Sequence, residues 1–417
     1  MAIFGPKIEN TQQLAAETLK RMTKGFWGGE PTDLERVELG DKFVSELPGV
    51  SKNPLEKSLA EVAQRSAGDV RAVAGKVALY RTAIEAMSQQ LTGSAGGVMA
   101  GVATKVMQQN GLLQPEERAR VGERFLSGIA QSTQNDAEKT LSNLTLSANK
   151  ALTPGVQGAL AQASLQTLSQ GLTGITGPVL AKVGSSALGL ASAQTPADQA
   201  ALGASVLAAI TASANANEAE RTLLSTLGAA GKELAATSQT ALAQAGLEAV
   251  AQGVTSLTGQ KLAEVAGKAM NLTSAGKAAD RDALSGALLG HLVHSPVCNE
   301  AEKSLYRTIN LICHNVHESR VPLGQATLAH IAGGITTVTD RTLAQIGSQA
   351  LALAGNAPPN EKAALGTAVL ESFAESAEAT PAAKEFVQSL VTAIDPLAYA
   401  SQGALIRAAF QSLSAGE

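Results

Sequence analysis

At 417 residues, with 32 basic and 36 acidic side chains and a net charge of −4, the chain carries no basic stripe of the kind that binds nucleic acid. Apolar residues make up 45% of it but aromatics only 3%, so a core must be built from Ala, Leu, Val and Ile. Each buries little area, so many helix contacts are needed. The uncharged stretches 151–181 and 199–217 are too rich in Gln, Ser, Thr and Asn to span a bilayer, and no stable membrane insertion is expected.

The opening residues, MAIFGPKIENTQQLAAETLKRMTK, contain no apolar run of the signal-peptide type. The expectation is a cytoplasmic protein, or one secreted without a cleavable signal peptide. Residues 1–30 read as a capping helix, roughly 9–24, and the joint GFWGGEP. Phe26 and Trp27, the sole Trp, lie in that joint. They read first as part of a cap on a repeat array and second as an exposed partner-binding patch.

From residue 31 the sequence repeats itself. NPLEKSL, NDAEKTL, NEAERTL and NEAEKSL begin at Asn53, Asn135, Asn217 and Asn299, each 82 residues after the last, and TPAAKEF follows at Thr380, 81 further on. Asn or Thr is a helix N-cap residue, and Pro54 and Pro381 suit the first helical position. Glu56, Glu138, Glu220 and Glu302, three after the cap, read as a capping-box variant on a solvated helix start. The segments ALYRTAIEAM, ALAQASLQTL, ALAQAGLEAV, PLGQATLAHI and ALIRAAFQSL keep the same phase, as do GLTGIT, GVTSLT and GITTVT.

Each unit reads as four helices, in the third copy roughly 199–213, 217–231, 238–252 and 259–271, with apolar residues at three- and four-residue steps such as Leu202, Val206, Leu207 and Ile210. The fold class is therefore all-α: tandem helical repeats of about 82 residues, arranged as an α-solenoid or a chain of helical bundles. The copies run over 31–112, 113–194, 195–276, 277–357 and, shortened, 358–417.

Copy four departs from the others. All five His and both Cys residues of the chain lie there: His291, His294, Cys298, Cys313, His314, His317 and His330. The third copy has Ala209, Ala212, Ala216, Gly231, Lys232, Ala235 and Ala249 at those places. Cys313 and His317, four apart on one helix, could hold zinc together with His330 if the following helix folds back. A helix running straight from Asn299 to His317 would place His317 about 27 Å from the preceding turn, so all seven cannot share one ion. It would also hold Cys298 and Cys313 about 20 Å apart, beyond disulfide reach. The stronger reading of this copy is partner contact through His291, His294 and His314, since divergent repeats often line a binding face.

No HExxH, P-loop, GxSxG or dinucleotide fingerprint is present, so no enzyme is expected. The functional expectation is a protein-binding scaffold. Its Ala, Gly, Ser, Thr and Gln richness also suits a bacterial effector exported without a leader. The alternatives are end-to-end self-association into filaments or rings, and a metal-binding sensor or enzyme built on the His/Cys set.

Overall fold

The computed structural model describes residues 8–415 apart from 26–27, 110, 173, 255–256, 274–276, 316, 336 and 356. Every regular element among them is helical. The chain divides into two compact units, Met1–Asn215 and Ala216–Glu417. Among the described residues no helix is long and apolar enough to cross a membrane. Phe26 and Trp27 lie outside the described residues.

The first unit holds α1 (Thr11–Lys24), α2 (Asp33–Val50), α3 (Pro54–Asp69), α4 (Val73–Ser88), α5 (Ala95–Gln108), α6 (Pro115–Ser132), α7 (Asp136–Asn149), α8 (Pro154–Ser169), α9 (Gly177–Leu190) and α10 (Pro196–Ala212). The second holds α11 (Glu218–Gly231), α12 (Ala236–Ala251), α13 (Gly259–Leu272), α14 (Ala278–Val293), α15 (Glu300–Asn315), α16 (His317–Ala332), α17 (Asp340–Leu353), α18 (Pro359–Glu375), α19 (Pro381–Ile394) and α20 (Tyr399–Ala415). Asp33, Pro115, Pro196, Ala278 and Pro359 open successive helices 81 or 82 residues apart, matching the sequence period.

Packing recurs with the same step. In the first unit α5 packs on α6 and α8, and α6 on α7 and α8. In the second, α13 packs on α14 and α16, and α14 on α15 and α16. The set α17–α20 repeats this arrangement. So does α1, which packs on α2 and α4 as α5 packs on α6 and α8. Four-helix sets join through two contacts, seen where α3 meets α6 and α4 meets α5, and again where α15 meets α18 and α16 meets α17.

Local chemistry explains the helix starts. The Asn53 and Asn135 side chains accept backbone N–H bonds from Leu55 and Ala137, and Asn217 accepts from Glu220. Thr380 does the same for Ala383 at 3.2 Å. Each N-cap satisfies one donor that the first helical turn leaves unpaired.

Small residues set the closest crossings. A Cβ on Gly40 would run into the ring of Tyr80, on Gly122 into Ala161, and on Gly366 into Ile406. In the set α13–α16 the roles are exchanged. Ser285 occupies the place of the glycine, and the partner helix supplies Gly324, whose Cβ would collide with the Ser285 hydroxyl. The crossing tolerates one side chain, and either helix can give way.

One expected element is corrected. The helix from Asn299 does not run on to His317: α15 ends at Asn315 and His317 opens α16. The cause is visible at the break. Arg320 of α16 reaches back, and its Nε and Nη2 each donate to the Cys313 carbonyl at 3.0 Å. A carbonyl left without an intrahelical donor at the end of α15 is satisfied by a cation, as helix C-termini favour.

Candidate functional site

The repeated glutamate was expected on a solvated helix start, and the structure corrects this. Glu138, Glu220 and Glu302 are buried. Each lies in the first turn of its helix, and in three sets the carboxylate also meets the N-terminus of a second helix. Thr11, at the start of α1, donates its hydroxyl to Glu56 at 2.6 Å, and Ser51 donates to the same oxygen. Ser94, the N-cap of α5, donates to Glu138 at 2.5 Å, and Thr133 donates at 2.7 Å. Glu302 accepts from the backbone N–H of Asn299 at 3.0 Å and from that of Gly259, the first residue of α13.

A carboxylate between two helix N-termini sees the positive end of both dipoles and several unpaired N–H or O–H donors. That is what makes burying it tolerable. Room for it comes from the facing helix: a Cβ on Gly96 would strike the Glu138 carboxylate, and one on Gly259 would lie 2.5 Å from Glu302 Oε2. At Glu302 burial dominates and lifts the carboxyl above its usual range, against the pull of the Asn299 and Gly259 N–H groups. These glutamates are structural clasps.

Glu117 clasps a different joint. One carboxylate oxygen accepts from the Arg71 and Ala72 N–H groups at 2.8 and 3.3 Å, at the start of α4, and the other accepts from Gln114 at 3.1 Å. Burial pushes its carboxyl up, but those three bonds and the Arg71 charge outweigh it and hold the group below the ordinary carboxylate range.

The His/Cys set of copy four is dispersed. Cys298 and Cys313 are free and buried. Burial, then the Glu302 charge, pushes the Cys298 thiol up to about 11, and burial pushes Cys313 up to about 12. Metal binding and nucleophilic attack both need the thiolate, which these surroundings disfavour. His330 lies thirteen residues along α16 from His317, about 20 Å at the helical rise, so it is carried away from the Cys313 end of α15. Burial lowers the His330 pKa below the usual imidazole value, opposed by a hydrogen bond from Gln349, and its Nε2 has no partner. Among the described residues no three His, Cys, Asp or Glu side chains come together as ligands; the His317 side chain lies outside them.

What copy four presents outward is different. His294 caps the C-terminus of α14 and is exposed, whereas His291, in the last turn, is half-buried. On α15, Arg307, Leu311 and His314 stand at i, i+4 and i+7, the spacing of one helix face, and all three are exposed. Leu311 is 58% exposed. Its equivalents one, two and three copies earlier are Ala229, Ser147 and Arg65. Sequence inspection singled out His314 but missed Leu311, because an isolated Leu in a Leu-rich helix gives no signal until its face is known.

No protein-family model, no curated protein and no solved structure matches the chain.

Proposed function

We propose that the chain is a non-enzymatic protein-binding scaffold whose fourth copy docks a partner through the outer face of α15. The observation that carries this reading is the stripe Arg307–Leu311–His314, an exposed large aliphatic side chain flanked one turn each way by polar groups able to donate hydrogen bonds. An apolar anchor with a polar rim is the anatomy of a protein-binding patch. The buried groups add support, since the clasping carboxylates and the two raised thiols serve the interior rather than a reacting centre.

The test places a photo-crosslinking amino acid at position 229 or 311 of the full chain and exposes it to extract from the source cells. Proteins captured at 311 and not at 229 are expected, and Leu311→Glu should remove them when the crosslinker stands at 314. Equal capture at both positions, or capture untouched by Leu311→Glu, rejects the reading.

A further inference from the structure

The outward face of α19 is open where the equivalent helices are covered. α3 lies under α6, α7 under α10, α11 under α14 and α15 under α18. Six residues after the N-cap, Leu59, Leu141, Leu223 and Leu305 are all buried. The fifth residue of this series is Phe386, and it is 43% exposed. Seventeen residues after the N-cap, Val70, Leu152 and Leu234 are buried, whereas Leu397 is 39% exposed. Helices α18 and α20 flank α19 as α14 and α16 flank α15, so the difference lies in the helix that packs over the outside.

The open stripe is Ala382, Phe386, Leu390, Ala393 and Leu397, with steps of four, four, three and four residues and no charge. It continues onto α20, where Ala404 and Ala408 are exposed. Beside Phe386 runs a groove of about 560 Å³, bordered also by Ala383 and Leu413. A contiguous apolar stripe carrying an aromatic residue marks an interaction face.

The other end of the array does not match it. On α1, Glu17 and Arg21 pair at 2.9 Å. They stand where α5 has the buried Val102 and Val106, when each helix is counted from its Leu14 or Met99 core residue. Lys42 and Glu46 pair at 3.9 Å on α2, where α6 has Arg124 and the close-packed Gly128. Stacking head to tail would bury these charges against an apolar surface, at a cost the pairs do not recover. An uncharged stripe, by contrast, meets itself across a two-fold axis with no like-charge clash, and two-fold contacts are the commonest among identical chains.

We therefore infer that α19 is the two-fold interface of a homodimer, packing antiparallel on the same helix of a second copy near Leu390, with α20 alongside. This surface is separate from the α15 stripe and does not depend on it.

Sedimentation of the full chain across a wide concentration range tests the inference. A shift from one chain mass to two, with no larger species, is expected. Phe386→Lys combined with Leu390→Lys should hold the protein at one chain mass, with unchanged helical circular dichroism. Glu17→Ala should dimerise as the wild type does. In case the double variant misfolds, Leu390→Cys in the otherwise native chain should give a covalent pair with a short bismaleimide, and Glu17→Cys should not. A wild type that stays at one chain mass, an open-ended series of oligomers, or a Leu390→Cys chain that fails to crosslink overturns the proposal.

Discussion

Thr380 donates a hydrogen bond to Asp340 at 3.2 Å, and this pair inverts the clasp of the earlier copies. There the carboxylate belongs to the later helix and reaches the N-terminus of the earlier one, as Glu302 reaches Gly259. In α19 the glutamate position is Ala383, while Asp340 stands at the position of Gly259, three residues before the Leu-Ala pair. One carboxylate per joint is retained and its owner has changed. The same exchange occurs with volume, where Ser285 and Gly324 reverse the glycine and side chain of Gly122 and Ala161.

The clasp predicts a position-specific glycine effect. Gly259→Ala places a methyl against the Glu302 carboxylate and should destabilise by about 1–3 kcal/mol, the usual scale of overpacking. Gly267→Ala on the same helix meets nothing within 4 Å and should instead stabilise by about 0.5–1 kcal/mol. Urea midpoints of the two variants decide it; equal shifts would remove the clasp from the account.

The exchanged crossing predicts a rescue. Gly324→Ala alone should cost about 1–3 kcal/mol, because the Ser285 side chain already fills the gap. Adding Ser285→Gly restores the arrangement of Gly122 and Ala161 and should recover most of the loss. Chemical denaturation of both single variants and the double gives the coupling; strict additivity would mean the two residues do not share the crossing.

Two glutamates should titrate stability in opposite directions. Glu117 has a folded pKa below its unfolded value of about 4.3, so the folded state binds fewer protons. Its contribution is present above that unfolded value and is lost as pH falls through the folded one. Glu302 has a folded pKa above the unfolded value, so the folded state binds more protons between the two. Stability in that window falls as pH rises. Urea midpoints across the acid range should show Glu117→Gln reducing the loss on the acid side and Glu302→Gln removing the decline above it. A Glu302→Gln profile parallel to the wild type would count against the second assignment.

The thiols should be silent in the native protein. With Cys298 raised to about 11 and Cys313 to about 12 by burial, alkylation at neutral pH should be undetectable until denaturant opens the fold. Timed iodoacetamide labelling followed by mass spectrometry checks this, and rapid native modification of either residue would show the burial to be wrong.

The period, the helix starts and the small-residue crossings were open to inspection because they depend on neighbours in sequence: Asn53 and Asn135 cap the turn that follows them. The destination of Glu138 was not, because it depends on a helix that begins about forty residues earlier and on Gly96 leaving it room. A trace existed all the same, since the loss of glutamate at Ala383 coincides with a carboxylate at Asp340. The break before His317 was hidden for a similar reason: no proline or glycine marks it, and the group that satisfies the end of α15 is Arg320, seven residues beyond Cys313. Leu311 illustrates a third kind of limit. Whether a leucine faces core or solvent is decided by which neighbours its helix acquires.

The inverted pair of Asp340 and Thr380 has a practical consequence for anyone splicing this array. Glu302 and Gly259 both belong to α13–α16, and Asp340 and Thr380 both belong to α17–α20, so a graft of four consecutive helices starting at α13 or α17 carries its own matched halves. A graft cut three helices out of step would set a glutamate-bearing helix beside Asp340, leaving two anions in one dry joint, or Ala383 beside a glycine, leaving none. Recombination within the gene, natural or designed, is thus free at one joint in four and penalised at the others.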